Sequence, residues 1–205
     1  MTKVAGLLLA AGASVRMGQP KQLLRAGGQT LLARILVKAL NSDLDRVVLV
    51  LGHQARMIKE AIITDLHHPK LKIIENRNYQ KGISSSIIAG LSEVEDAYDH
   101  VMILLADMPH ITSELINLLI HQYLASRLPL GAITLQGRRS HPVIIGRPFY
   151  DELHHLQGDV GARDLFLRYS DRVCLVEAEE DYDDIDIDTP EDFLDFKKSM
   201  ERQIP

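Results

Sequence analysis

Arg16 and Lys21 flank a stretch of chain that carries almost no side chain. Ala10-Ala11-Gly12-Ala13-Ser14 precedes them, and the apolar run Val4-Ala5-Gly6-Leu7-Leu8-Leu9 leads in. Small residues let a ligand approach the backbone, and successive exposed N–H groups in such a turn form an anion-binding concavity. Two fixed positive charges at its mouth suit a polyphosphate. Both stand where negative charge develops during phosphoryl or nucleotidyl transfer. The loop lacks the Gly-Lys-Ser/Thr of a Walker motif and the Gly-x-Gly-x-x-Gly dinucleotide fingerprint.

Carboxylates form the second group. Asp107 directly follows the apolar Leu104-Leu105-Ala106 and precedes Met108-Pro109. Alone it reads as a turn former or as a ligand for magnesium, which takes hard oxygens from one or two carboxylates plus substrate phosphates. Asp183, Asp184, Asp186 and Asp188 crowd one short segment, where they repel unless they stay solvated or share a cation. Asp186 and Asp188 alternate about Ile187, so they share one face of an extended segment. A solvated acidic loop leading into a helix capped by Thr189 accounts for the same residues. Further candidates are the hydroxyls of Ser84-Ser85-Ser86, at a helix start that caps itself or favours an anion. His141 stands before Pro142, and Arg163 closes Gly158-Asp159-Val160-Gly161-Ala162-Arg163. No histidine pair with cysteine suggests zinc, and no nucleophile with an ordered base suggests hydrolysis.

Alternating strand and helix patterns must hold these residues. Residues 4–9, 46–51, 71–75 and 100–105 read as strands. Residues 30–40, 54–66 and 84–94 carry helical spacing, and Thr112 caps a further helix with Glu114 in its first turn. This order predicts an α/β fold, a Rossmann-like, mostly parallel sheet with helices on both faces. Ligands then bind beyond the carboxyl ends of the strands, where the loop after the first strand and Asp107 both lie. Residues 131–135 and 142–146 read as two strands about a polar turn at Gly137-Arg138-Arg139, a small antiparallel excursion over the sheet's end. Residues 150–155 and 162–168 read as short helices, and a last helix starts near Pro190. Residues 1–205 are expected to form one domain.

Composition fits a soluble enzyme. Of 205 residues, 46% are hydrophobic, enough for a stable core, and a net charge of −5 with scattered signs argues against a nucleic-acid partner. The one cysteine, Cys174, lies in the apolar Val173-Cys174-Leu175-Val176 and reads as a buried structural thiol. No stretch reads as a secretion leader or a membrane span, so a cytoplasmic location is expected.

The order Leu9-Ala10-Ala11-Gly12-x-Ser14-x-Arg16-Met17-Gly18-x-Pro20-Lys21-Gln22-Leu23-Leu24 resembles the nucleotidyltransferase superfamily that includes the molybdenum-cofactor guanylyl- and cytidylyltransferases. Asp107-Met108-Pro109 is similar to that family's Asp-Met-Pro element. Asp186-Ile187-Asp188-Thr189-Pro190-Glu191-Asp192-Phe193 is similar to its late acidic element. The resemblance runs from residue 7 to residue 193. It implies Arg16, Lys21 and Asp107 as catalytic residues. It implies Leu9, Ala10, Ala11, Gly12, Ala13, Ser14, Arg16, Lys21, Ser85 and Ser86 as nucleotide-binding. Mg²⁺ would be held by Asp107 with Asp186 and Asp188, Asp186 being preferred of the pair, and the acceptor would meet His141 and Arg163. Leu9-Ala10-Ala11-Gly12, His141-Pro142 and Gly161-Ala162-Arg163 resemble the cytidylyltransferase branch, although Ser140 stands where that branch has glycine and Leu9 where it often has threonine. The implied reaction transfers CMP from CTP to the terminal phosphate of molybdopterin carrying molybdenum, and a molybdenum hydroxylase apoenzyme is an implied partner. The alternatives are GTP as donor, a sugar- or alcohol-phosphate as acceptor, and a non-catalytic accessory protein in hydroxylase maturation.

Overall fold

Every residue of β1 (Val4–Ala10) is buried, because this strand lies inside a sheet covered on both faces. The computed structural model describes residues 2–62, 67–179 and 182–202. After β1 a two-residue hairpin, β2 (Arg25–Ala26) and β3 (Gln29–Thr30), leads into α1 (Leu31–Leu40). There follow β4 (Arg46–Leu51), α2 (Ala55–Ala61), β5 (Leu71–Glu75), α3 (Ile83–Leu91), β6 (His100–Leu105) and α4 (Ser113–Ser126). The second half comprises β7 (Leu130–Leu135), β8 (Arg138–Gly146), α5 (Tyr150–His154), α6 (Arg163–Arg168), β9 (Val173–Glu177) and α7 (Pro190–Arg202).

The large sheet has the order β5-β4-β1-β6-β8-β7-β9. β5, β4, β1 and β6 run parallel, as their near-continuous apolar sequences require. β8 runs antiparallel between β6 and β7, and β9 lies parallel to β7. Leu8 and Ala10 point into one core with α1, α2 and α4. Leu7 and Leu9 point into the other with α3, α5 and α6. Thr30 and Thr112 cap α1 and α4 by accepting from Ala33 N and Leu115 N, each at 3.1 Å. Among the described residues no helix is long and apolar enough to cross a membrane.

Three details are corrected, while the antiparallel excursion is present as the β7–β8 hairpin, whose second strand joins β6 over residues 143–146 as the sheet's fifth strand. The hairpin's turn is Gln136-Gly137, with φ of 53° and 75°, so Arg138 and Arg139 belong to β8. A two-residue turn with both central φ positive matches the twist of the strands it joins. The helix expected over 54–66 spans Ala55–Ala61, and residues 63–66 lie outside the described residues. Cys174 is half-buried in β9, a strand the sequence reading left unassigned.

Candidate functional site

The ends of β1 and β6 lie side by side, with Ala106 N donating to Leu9 O at 3.1 Å. The small-residue loop and Asp107 therefore leave the sheet together. Ser14 takes a left-handed φ of 52°, and Met17 N closes the turn on Ser14 O at 3.0 Å. The Ser14 hydroxyl accepts from Lys21 N at 3.1 Å and faces Gln22 Oε1 at 3.4 Å. Gln22 is buried, and its Nε2 donates to Ala10 O and Gly12 O, each at 3.1 Å. The polar side chain of Gln22 thus satisfies carbonyls that the loop cannot pair by itself.

Lys21 closes the site. Its Nζ lies 2.6 Å from Asp107 Oδ2 and 2.8 Å from Asp188 Oδ1. Burial of the ammonium opposes its charge, yet Asp107 and Asp188 prevail and hold Lys21 above the usual lysine range. The hydrogen bond from Lys21 in turn holds Asp188 below the usual carboxylate range, with the Arg16 charge helping. Arg16 reaches Asp188 Oδ2 at 2.9 Å and is otherwise exposed. Desolvation, then Asp107 and Asp188, push Asp186 up to about 6, although part of the residue remains solvent-exposed.

The acidic strap is fixed by its alternate residue. Ile187 is buried with Met17, Leu24, Ala26, Leu31 and Phe196 in a small core of its own. Its N–H donates to Asp107 O at 2.9 Å. Thr189 and Asp192 cap α7 reciprocally: Asp192 N donates to Thr189 Oγ1, and Asp192 Oδ2 accepts from Thr189 N. One apolar cluster therefore fixes the basic loop, through Met17, and the acidic strap, through Ile187.

Two cavities open beside this cluster. The first, about 540 Å³, is lined by Leu9, Ala10, Ala11, Gly12 and Ala13 with Lys21, Ser86 and Asp107. Its far wall includes Tyr79 and Gly82, the aromatic and the glycine of a segment similar to the family's Asn-x-x-aromatic-x-x-Gly-x-x-x-Ser element. Gly82 has φ of 93°, and a Cβ there would lie 2.4 Å from the Gly158 carbonyl. The second cavity, about 770 Å³, is lined by Arg139, His141, Asp159, Arg163 and Asp186. Ile83 and Asp159 line both. Burial holds His141 below the usual histidine range, and its Nδ1 has no hydrogen-bond partner among the described residues.

Not every expected residue lines a cavity. Ser14 and Arg16 stand at the rim, one supporting the loop and the other paired to the strap. The Ser85 hydroxyl donates to the carbonyls of Asn78 and Gly82 and accepts from Asn76 Nδ2 at 2.9 Å. It supports the turn below the cavity by satisfying carbonyls, and it does not cap the N–H groups of α3. Asp188, rather than the preferred Asp186, shares Lys21 with Asp107.

The residues present fit a hard divalent cation. Asp107 Oδ1 is buried with no hydrogen-bond partner among the described residues, and the carboxylates of Asp186 and Asp188 lie near enough for their charges to interact with it or with its lysine partner. No three potential ligands are drawn into a preformed metal cage among the described residues. The Lys21 ammonium instead bridges two of them.

Known proteins resemble this chain over most of its length. A family described as "MobA-like NTP transferase domain" matches residues 6–173. The nicotine blue oxidoreductase of Paenarthrobacter nicotinovorans is 30% identical over 92% of this chain and 93% of its own length. The molybdenum cofactor cytidylyltransferase of Escherichia coli is 28% identical over 97% of each chain. The crystal structure of Rv0371c from Mycobacterium tuberculosis superposes with a TM-score of 0.83 at 25% identity, covering 96% of this chain and 98% of that one.

Proposed function

The chain belongs to the MobA-like NTP transferase family and is a nucleotidyltransferase, and from that premise we propose that it moves CMP from CTP to the terminal phosphate of the molybdenum–molybdopterin cofactor. The observation that carries this reading is the meeting of a phosphate-cradling loop with Asp107 and Asp188 across Lys21. An oxygen of the acceptor phosphate attacks the α-phosphorus of CTP. The bond from that phosphorus to the bridging oxygen breaks, and pyrophosphate leaves with the electron pair. The attacking phosphate is already ionised at neutral pH, so no general base is needed.

Backbone N–H groups of residues 10–14 receive the triphosphate, and the flat wall of Ala10, Ala11 and Gly12 admits the nucleoside. Lys21 neutralises charge that builds on the α-phosphate, and Arg16 meets the departing pyrophosphate. Asp107 with Asp188 and Asp186 would hold Mg²⁺, which would supply further neutralisation of phosphate charge. His141 and Arg163 face the acceptor. Holding both substrates in adjoining cavities provides the orientation on which such a reaction depends.

CTP is favoured over GTP because Ala11 carries a methyl on the cavity wall. The test is a panel of nucleoside triphosphates with molybdenum-loaded molybdopterin, following pyrophosphate release and product mass. Pyrophosphate release with CTP supports the reading, and preference for GTP would move the protein to a guanylyl role. Release from no triphosphate would refute nucleotidyl transfer to this acceptor and favour the redox role that the name of the 30%-identical relative carries.

A further inference from the structure

Three arginines face the acceptor cavity: Arg138, Arg139 and Arg163. Arg138 is neutralised, since its guanidinium meets both oxygens of Asp184 at 2.8 Å. Arg139 and Arg163 have no carboxylate partner among the described residues. Arg139 is half-buried, its guanidinium lies 5.1 Å over the Phe166 ring, and its one side-chain hydrogen bond among the described residues, to Arg163 O, is stretched to 3.5 Å. A fork of five donors is thus turned into a cavity beside a second guanidinium, with most of its capacity unused. Bidentate capture of a phosphate is the chemistry such a fork serves best.

Neither of the cavity's two carboxylates pairs with these arginines among the described residues: Asp159 Oδ1 accepts from Ile83 N at 3.2 Å, and Asp186 is repelled by Asp107 and Asp188. Lys21 and Arg16 are tied to Asp107 and Asp188 on the nucleotide side. An acceptor phosphate brought against a triphosphate therefore needs positive charge of its own. Arg139 shares a face of β8 with His141, two residues on.

We propose that Arg139 is the principal anchor of the acceptor's phosphate, with Arg163 beside it, so that the site selects acceptors attacking through a phosphate monoester. This rests on the nucleotidyl-transfer reading above.

Steady-state kinetics with CTP and molybdenum-loaded molybdopterin test it on wild type, Arg139→Gln and Arg139→Lys. Arg139→Gln should raise the acceptor KM at least tenfold and leave the CTP KM within about twofold. Arg139→Lys should recover part of the loss, and it carries the comparison if the glutamine variant melts early. An unchanged acceptor KM in a folded variant overturns the proposal. So does an equal rise in both KM values, which marks a structural role on Phe166. A wild type that releases no pyrophosphate from any triphosphate overturns the underlying reading and this proposal with it, whereas an active wild type beside an indifferent Arg139→Gln overturns this proposal alone.

Discussion

Lys21→Met keeps the side-chain stem and deletes the charge. The lost contacts run from Nζ to Asp107 at 2.6 Å and to Asp188 at 2.8 Å. Each is worth about 6 kcal/mol of gross attraction at an effective dielectric near 20. Desolvation of the lysine, whose side chain is 15% exposed, cancels much of that, and solvent screens Asp188, which is 38% exposed. The net loss of stability at neutral pH is about 1–3 kcal/mol, because three carboxylates are left facing one another with Arg16 as the remaining cation. The same imbalance attracts a divalent ion. Mn²⁺ should bind nucleotide-free Lys21→Met about tenfold more tightly than wild type, which corresponds to ~1.4 kcal/mol. Electron paramagnetic resonance of free Mn²⁺ measures this directly, and thermal unfolding with millimolar Mg²⁺ should recover the lost stability. Adding Asp107→Asn should remove the gain. Transfer activity should fall by about 10² or more despite the tighter metal, since the charge facing the α-phosphate is gone. A Lys21→Met protein that melts like wild type and binds Mn²⁺ no better would refute the idea that the ammonium holds these carboxylates together.

Ala11→Gly should raise the use of GTP relative to CTP, by no more than the ~1–3 kcal/mol that one methyl discriminates; kcat/KM ratios for both nucleotides check it. Gln22→Leu should destabilise by about 1–3 kcal/mol by stranding the carbonyls of Ala10 and Gly12, and calorimetry should find CTP binding weakened with it. Ile187→Ala empties part of the small core under the strap, so urea unfolding should show a loss of about 2–4 kcal/mol and activity should drop further than in an equally destabilised Leu119→Ala. Asp186, pushed up to about 6 from 3.8, binds its proton more readily folded than unfolded. Its contribution is therefore retained below about pH 4 and lost as pH rises to about 6. In metal-free buffer Asp186→Asn should flatten that part of the stability curve by under about 1 kcal/mol, given its exposure, and parallel curves would contradict the shift.

The parallel half of the sheet was legible because its strands are short apolar runs bounded by turns. β4, β5 and β6 start and stop where their residue types change. That Arg16, Lys21 and Asp107 lie at one edge of the sheet was legible because the loop and the aspartate each follow an apolar strand, whereas the pairing of Lys21 with Asp107 was not. β8 was partly hidden: Arg138 and Arg139 look like turn residues, but Gln136-Gly137 supplies the positive φ values and leaves both arginines in the strand. Gln22 was passed over because its role is to accept and donate within the loop, and no spacing announces that. Ser85 shows the converse ambiguity: a hydroxyl at a helix start serves backbone and ligand equally well, and its backbone contacts are not legible from spacing. The choice between Asp186 and Asp188 depends on which carboxylate meets Lys21, a contact across 167 positions that local alternation cannot fix.

The antiparallel entry of β8 has a consequence for how such proteins diversify. In a wholly parallel sheet only residues following strands reach the ligand edge. Here Arg138, Arg139 and His141 open a strand and still arrive there, because β8 runs opposite to β6. On the proposed reading, the nucleotide side of the site is carried by the ends of β1 and β6, and the acceptor side by the starts of β8 and α6. Within the sheet their seam is the pairing of β6 with β8, from His100↔Gly146 to Ile103↔Val143. Mutations can accumulate on the far side of that seam while the triphosphate cradle stays intact. One architecture can thereby keep its nucleotide chemistry and exchange the molecule to which the nucleotide is joined.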